Sequence, residues 1–220
     1  MPLVFQKRNR LWAEETDMDH TERFQVLMHK QDIANVLSRY CRAIDRLDQA
    51  LLKSVYHEDG YDDHGVFKGN AHEFCDIIIP MLNELTTFTS HMLYQSEISV
   101  DGDSAASETY FCSINRMCGG AEKIGAYFGP TYTRAAQASG TLEIDHEYVA
   151  GGRYLDRFLR KNGVWRIQSR KVTNEWGRCS PLGLITTEGL IQHNFRPGSR
   201  DRSDPVYGLP GLHDASEATI

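Results

Sequence analysis

What the chain lacks narrows its reading first. It has no CxxC pair; its five cysteines, Cys41, Cys75, Cys112, Cys118 and Cys179, are odd in number and widely spaced. That pattern fits reduced intracellular thiols rather than a disulfide framework or a zinc site. It has no long hydrophobic run. No stretch approaches the roughly 20 apolar residues that span a bilayer, and the opening MPLVFQKRNRLWAEETDMDH carries no apolar signal segment. A cytoplasmic protein without a membrane partner is expected. Positive charge is also short: 24 Lys and Arg stand against 30 Asp and Glu, for a net charge of -6. Such a balance leaves no surplus to meet a phosphate backbone, so nucleic acid is not an expected partner. No GxGxxG, P-loop, GxSxG or HExxH occurs, which withholds support from nucleotide, phosphoryl-transfer, serine-hydrolase and zinc-protease chemistry.

What is present reads as one globular domain. Hydrophobic residues make up 40% and charged residues 25% of the 220, enough for one well-buried core. Residues 1–22 mix charges without periodicity and are read as an arm. From there to Leu47, Ile33, Val36, Leu37, Tyr40, Ile44 and Leu47 recur at three- and four-residue steps, which predicts an amphipathic helix. Asp48 is placed to cap a second short helix over 49–56. The run HEDGYDDHG reads as a solvated acidic turn leading to a short strand at 64–67, and Gly69-Asn70 opens a third helix over 71–85.

After Thr86 the texture becomes strand-like. Residues 87–100 and 104–117 form a predicted hairpin about Asp101-Gly102-Asp103. Residues 119–141 look like a long crossing loop with a short helix near 134–139. A second hairpin, 142–160 and 164–176, turns at Asn162-Gly163, a pair suited to a type I′ turn. Four of the seven prolines follow residue 176, so 177–220 is read as a wrapping or partly disordered tail. Three helices followed by an antiparallel sheet predict an α+β domain over 23–176, the helices lying on the concave face of a curved sheet.

Four polar residues fall where polarity is costly. Tyr40 lies on the apolar helical stripe, and Asp45 ends that helix against the negative end of its dipole, so a partner is expected, His91 or Arg46. On an ideal helix Tyr40 and Asp45 stand about 140° apart, which a shared cavity has to reconcile. His91 alternates with Thr89 and Leu93 and suits proton transfer near neutral pH; a core or rim histidine would show the same spacing. Arg153 shares strand parity with Val149, Gly151 and Leu155, which reads as inward, as a structural ion pair or as a substrate clamp. In the acidic run no metal site is expected, and Tyr61 and His64 are placed at a pocket rim.

These residues sit in three segments, IANVLSRYCRAIDRLDQALLKSVYHEDGYDDHGVFKG, TSHMLYQSEISVDGDSAASETYF and GGRYLDRFLRKNGVWRIQSRKV. In order and spacing the segments resemble the SnoaL-like members of the nuclear transport factor 2-like superfamily, a cone-shaped α+β fold. Tyr40, Asp45, His91 and Arg153 resemble the tetrad of its cofactor-free dehydratases, bile acid 7α-dehydratase among them. The related dehydrochlorinase has a lysine at the position of Tyr40, and a second pocket tyrosine of the dehydratase has no clear match here. The resemblance implies a lyase without metal or organic cofactor, acting on a hydrophobic, carbonyl-bearing polycyclic or aromatic small molecule. In it His91, oriented by Asp45, removes a proton, Tyr40 donates to the departing hydroxyl, and Arg153 stabilises negative charge. It also implies a homo-oligomer, a trimer before a dimer. Isomerisation, polyketide cyclisation, a non-catalytic subunit resembling the β subunit of ring-hydroxylating dioxygenases, and a ligand-binding module share the fold.

Overall fold

A computed structural model describes residues 19–209. Most of the predicted arm, residues 1–18, and the end of the tail, residues 210–220, lie outside the described residues. The first helix, α1 (His20–Asp45), starts with a capping box: the Asp19 side chain accepts from the Glu22 backbone, and Glu22 reaches back to the Asp19 N–H. Its predicted stripe is buried, with Ile33, Val36, Leu37, Tyr40, Ala43 and Ile44 inward. Each large apolar side chain so buried contributes roughly 1.5–3 kcal/mol. Asp48 caps α2 (Gln49–Ser54), and Asn70 caps α3 (Ala71–Leu85), which carries Pro80 within it.

The acidic run is not a turn. It forms strand β1 (Tyr56–Asp63), and a bend over 64–67 leads to β2 (Lys68–Asn70). Tyr56, Gly60 and Asp62 face inward along β1, so the acidic texture hides a buried edge. The sheet continues with β3 (Thr86–Asp101), β4 (Ser104–Met117), β5 (His146–Lys161) and β6 (Val164–Pro181) in the order β2-β1-β6-β5-β4-β3. Its pairs are antiparallel except β1 with β6, which is parallel. The hairpin at Asn162-Gly163 has φ of 53° and 79°, both left-handed, as a type I′ turn requires.

The expected crossing loop folds into α4 (Ala121–Phe128) and α5 (Pro130–Ala138). They are joined at Gly129 with φ 82°, a conformation that favours glycine, and Pro130 starts α5. Ile124, Ala136 and Leu142 make a small core beneath them. The main core lies between α1, α2, α3 and the concave face of the sheet. Beyond β6 the chain passes through a short helix, α6 (Ile191–Asn194), and returns to the ends of α1 and α3.

Candidate active site

The helices close the concave face into an apolar cavity of about 160 Å³. Tyr40 and Ile44 of α1 line it, with Phe74, Ile78, Met81 and Leu82 of α3, His91 of β3, and Phe111, Ser113 and Asn115 of β4. Tyr127 of α4, Tyr148, Ala150 and Tyr154 of β5 and Val172 and Asn174 of β6 complete the wall, and His64 enters from the bend after β1.

His91 and Asp45 meet. The Asp45 carboxylate accepts from the backbone N–H of His91 at 2.9 Å and from its imidazole Nδ1 at 2.7 Å. A carboxylate only accepts, so Nδ1 carries a proton, and in the neutral imidazole the lone pair is left on Nε2. Among the described residues Nε2 has no protein partner. The 140° between Tyr40 and Asp45 is reconciled because only Tyr40 lines the cavity. Asp45 does not line the cavity; it reaches sideways to β3, and His91 is the member of the pair that does.

Tyr40 is 2% exposed, and its hydroxyl lies 3.3 Å from His64 Nε2. His64 Nδ1 is hydrogen-bonded to Asp62, whose other oxygen accepts from the Tyr56 hydroxyl at 2.7 Å. A second histidine–carboxylate pair therefore enters the same cavity, ending on Tyr40. Burial drives the Tyr40 phenol far above its ordinary range, outweighing the nearby Arg170 guanidinium. It therefore stays protonated and acts as a hydrogen-bond donor. Tyr61, expected beside His64, is 46% exposed and does not line the cavity: its parity on β1 is opposite to that of Asp62.

Arg153 is corrected. It lies on the convex face, where it donates to Glu108 at 2.5 Å and to Glu175 at 2.6 Å. The inward parity on β5 belongs to Tyr148, Ala150, Tyr154, Asp156 and Phe158, because the aromatic residues outweigh Val149 and Leu155 in filling the cone. The guanidinium that points inward is Arg170 of β6, 1% exposed. It forms a two-point pair with Asp156 at 2.8 and 2.7 Å and lies between the rings of Tyr40 and Tyr154, 3.9 and 4.0 Å from their centroids. Its parity is reset by a bulge: β6 buries Trp165 and Ile167, then Arg170.

Sequence reasoning also missed Ser113 and Asn115. In the β3–β4 register His91 faces Ser113, and Thr89 faces Asn115. Directly opposed residues have Cβ atoms roughly 4.5–5.5 Å apart and diagonal ones roughly 7–8 Å, so Ser113 stands opposite the imidazole and Asn115 one step further along the same cavity wall. The Ser-x-Asn alternation on an otherwise apolar parity, Phe111 and Met117 on either side, was the available signal. Among the described residues no group of three or more His, Cys, Asp or Glu could hold a metal ion, and no helix is long and apolar enough to cross a membrane.

A six-stranded curved sheet wrapped by helices around a cavity with an inward histidine is a nuclear transport factor 2-like fold. Within it the chain belongs to the SnoaL-like domain family, whose profile matches residues 25–171. Several solved structures share the fold. One is the hexachlorocyclohexane dehydrochlorinase LinA-type3 of Novosphingobium barchaimii LL02, at 12% identity and TM-score 0.54, covering 74% of this chain and 96% of that one. Another is a scytalone dehydratase-like protein of Novosphingobium aromaticivorans DSM 12444, at 14% identity and TM-score 0.53, covering 72% and 91%. The Kfla4162 protein of Kribbella flavida follows at 15% identity and TM-score 0.54, covering 70% and 95%. At such identities the likeness is one of fold. A comparison with curated proteins gave no match.

Proposed function

We propose that this chain is a cofactor-independent lyase that eliminates water from a small ring compound carrying a carbonyl β to a hydroxyl. The observation that carries this reading is the His91–Asp45 pair, tied at two points and open at Nε2 to an apolar cavity. The dehydrochlorinase and dehydratase-like neighbours support elimination as the reaction class.

In this mechanism His91 Nε2 takes the proton from the carbon next to the carbonyl, and Asp45 stabilises the imidazolium that results. Ser113 and Asn115 hold the carbonyl oxygen as charge moves onto it. The electron pair of the broken C–H bond becomes the new double bond, and the C–O bond breaks. Tyr40 turns its single O–H from His64 to donate a hydrogen bond to the departing oxygen, which takes back the proton held on His91. Water leaves, and the protein ends in its starting protonation state. A cavity of about 160 Å³ is close to the roughly 150 Å³ that holds benzene in an engineered protein core. One or two rings fit this space better than the four of a steroid.

Isomerisation is the second reading, favoured by one observation: His64 offers a second histidine to the same cavity, where a proton could return to a different carbon. A panel of one- and two-ring β-hydroxy ketones, followed by ultraviolet absorbance of the conjugated product, tests the proposal. Turnover should fall roughly 100-fold or more in His91→Ala. Unchanged turnover in that variant would overturn it, and an unconjugated, isomerised product would favour the second reading.

A further inference from the structure

We propose that His64, held by Asp62, is a positioning residue for Tyr40: a proton on His64 Nε2 turns the Tyr40 hydroxyl away from the imidazole and into the cavity, where it donates to the departing oxygen. The inference deepens the proposed function and rests on its assignment of Tyr40 as that donor.

Both rings are pinned, so a proton is all that has to move. The His64 imidazole stacks on Phe74 of α3, with centroids 4.3 Å apart and planes 15° from parallel, and its Nδ1 is hydrogen-bonded to Asp62. The Tyr40 ring lies 3.9 Å from the Arg170 guanidinium and meets Tyr154 edge-on at 5.6 Å. Tyr40 Oη and His64 Nε2 stand 3.3 Å apart, and both residues line the cavity. A carboxylate only accepts, so Nδ1 carries a proton in either charge state and Nε2 is the position that changes. Without a proton Nε2 accepts, and the single Tyr40 O–H is occupied by it. Turned to a substrate in that state, the hydroxyl would leave two lone pairs facing each other across the gap. With a proton Nε2 donates to the Tyr40 oxygen, and the O–H is released toward the cavity.

A protonated His64 has its counter-charge in place. Asp62 is fully buried, one of its oxygens accepts from the Tyr56 hydroxyl at 2.7 Å, and among the described residues its ion-pair partner is His64. Arg170, opposite Asp62 in the β1–β6 ladder, is matched at two points by Asp156 of β5. Two buried carboxylates thus stand against one guanidinium, and a proton on His64 makes the cluster neutral. The other groups around it keep one charge state near neutrality. Cys41 of α1 and Cys75 of α3 have thiols pushed up to about 12 by burial, and burial keeps the phenols of Tyr40, Tyr56 and Tyr154 protonated. Asp63, beside His64, is paired with Lys68 of β2. Across the cavity stand Tyr148, Tyr127, pushed up to about 12 by burial, and His91. Histidine is the side chain that changes charge between about pH 5 and 8. Turnover there should therefore require His91 without its second proton and His64 with it.

Two measurements test this. In the free protein, proton–nitrogen correlation spectra across pH should give neutral His64 the Nε2 shift of a nitrogen accepting a hydrogen bond, and protonated His64 an Nε2–H protected from exchange. Tyr40→Phe should remove both signatures. Turnover of the β-hydroxy ketone panel should fall about tenfold on the alkaline side, with the midpoint at which the spectra show His64 losing its proton. That limb should be missing from Tyr40→Phe and from His64→Phe, which keeps a ring against Phe74, while the acid limb set by His91 remains in both. Absence of the alkaline limb from the natural chain, its persistence in either variant, or a midpoint that differs from that of His64 would overturn the proposal. Should Tyr40→Phe fail to fold, His64→Phe decides by the same limb. Spectra unchanged by Tyr40→Phe would overturn the proposal without any substrate, an outcome distinct from failure of the elimination reading, which turnover of His91→Ala decides.

Discussion

At the scale of single residues, the site depends on Asp45 accepting two hydrogen bonds from one neighbour. Replacing it by Asn leaves the shape but offers Nδ1 an amide that can turn its donor toward the ring and favour the wrong tautomer. Asp45→Asn is therefore expected to lower turnover by roughly 100-fold or more with little loss of stability, measured by initial rates and thermal melting. Tyr40→Phe removes one hydroxyl whose protein partner is His64; stability should change by about 1 kcal/mol in denaturant titration while turnover falls. Asp45 and His91 were legible in the sequence because an aspartate at a helix end requires a partner and the order of the residues resembled a known tetrad. Asp62 was not: among Glu58, Asp59 and Asp63 nothing in composition marks the one carboxylate that is fully buried.

At the scale of elements, the errors lie where pairing overrides local pattern. Period-two alternation assigned Arg153 inward because Val149 and Leu155 share its parity, yet the choice between two partly apolar faces is made by helix packing, which local alternation does not record. The bulge in β6 is equally silent, and it turns Arg170 into the core. The two arginines give opposite expectations. Arg153→Ala, on the convex face between two exposed glutamates, should cost under about 1 kcal/mol by urea unfolding and leave turnover nearly intact. Arg170→Met leaves Asp156 charged, buried and alone, and should cost about 3–5 kcal/mol; adding Asp156→Leu should recover a large part of it. The helices α1 to α3 were legible because their stripes and caps are local, whereas α4 and α5 were masked by a Gly- and Thr-rich texture that looks like loop.

At the scale of the whole molecule, stability should carry a pH signature from His57. It is buried, its Nε2 donates to the Leu159 carbonyl at 2.9 Å, and burial lowers its pKa below the ordinary histidine value. The unfolded chain then binds more protons than the folded one as pH falls, so this contribution is complete above about pH 6.5 and is lost as pH drops through the folded value. His57→Gln should flatten the difference in unfolding free energy between about pH 7 and pH 5, measured by denaturant titration at both.

Beneath the cavity, the guanidinium that supports Tyr40 is already matched by Asp156, so the base of the cone presents an ion pair of no net charge. A carbanion formed above it would find polar contacts but no counter-ion in that direction, and its lifetime there would be short. Loss of the proton and of the hydroxyl should then overlap in time. A primary deuterium isotope effect and an oxygen-18 effect on the same rate constant would reveal that concertedness, and it would trace back to a salt bridge that never touches the substrate.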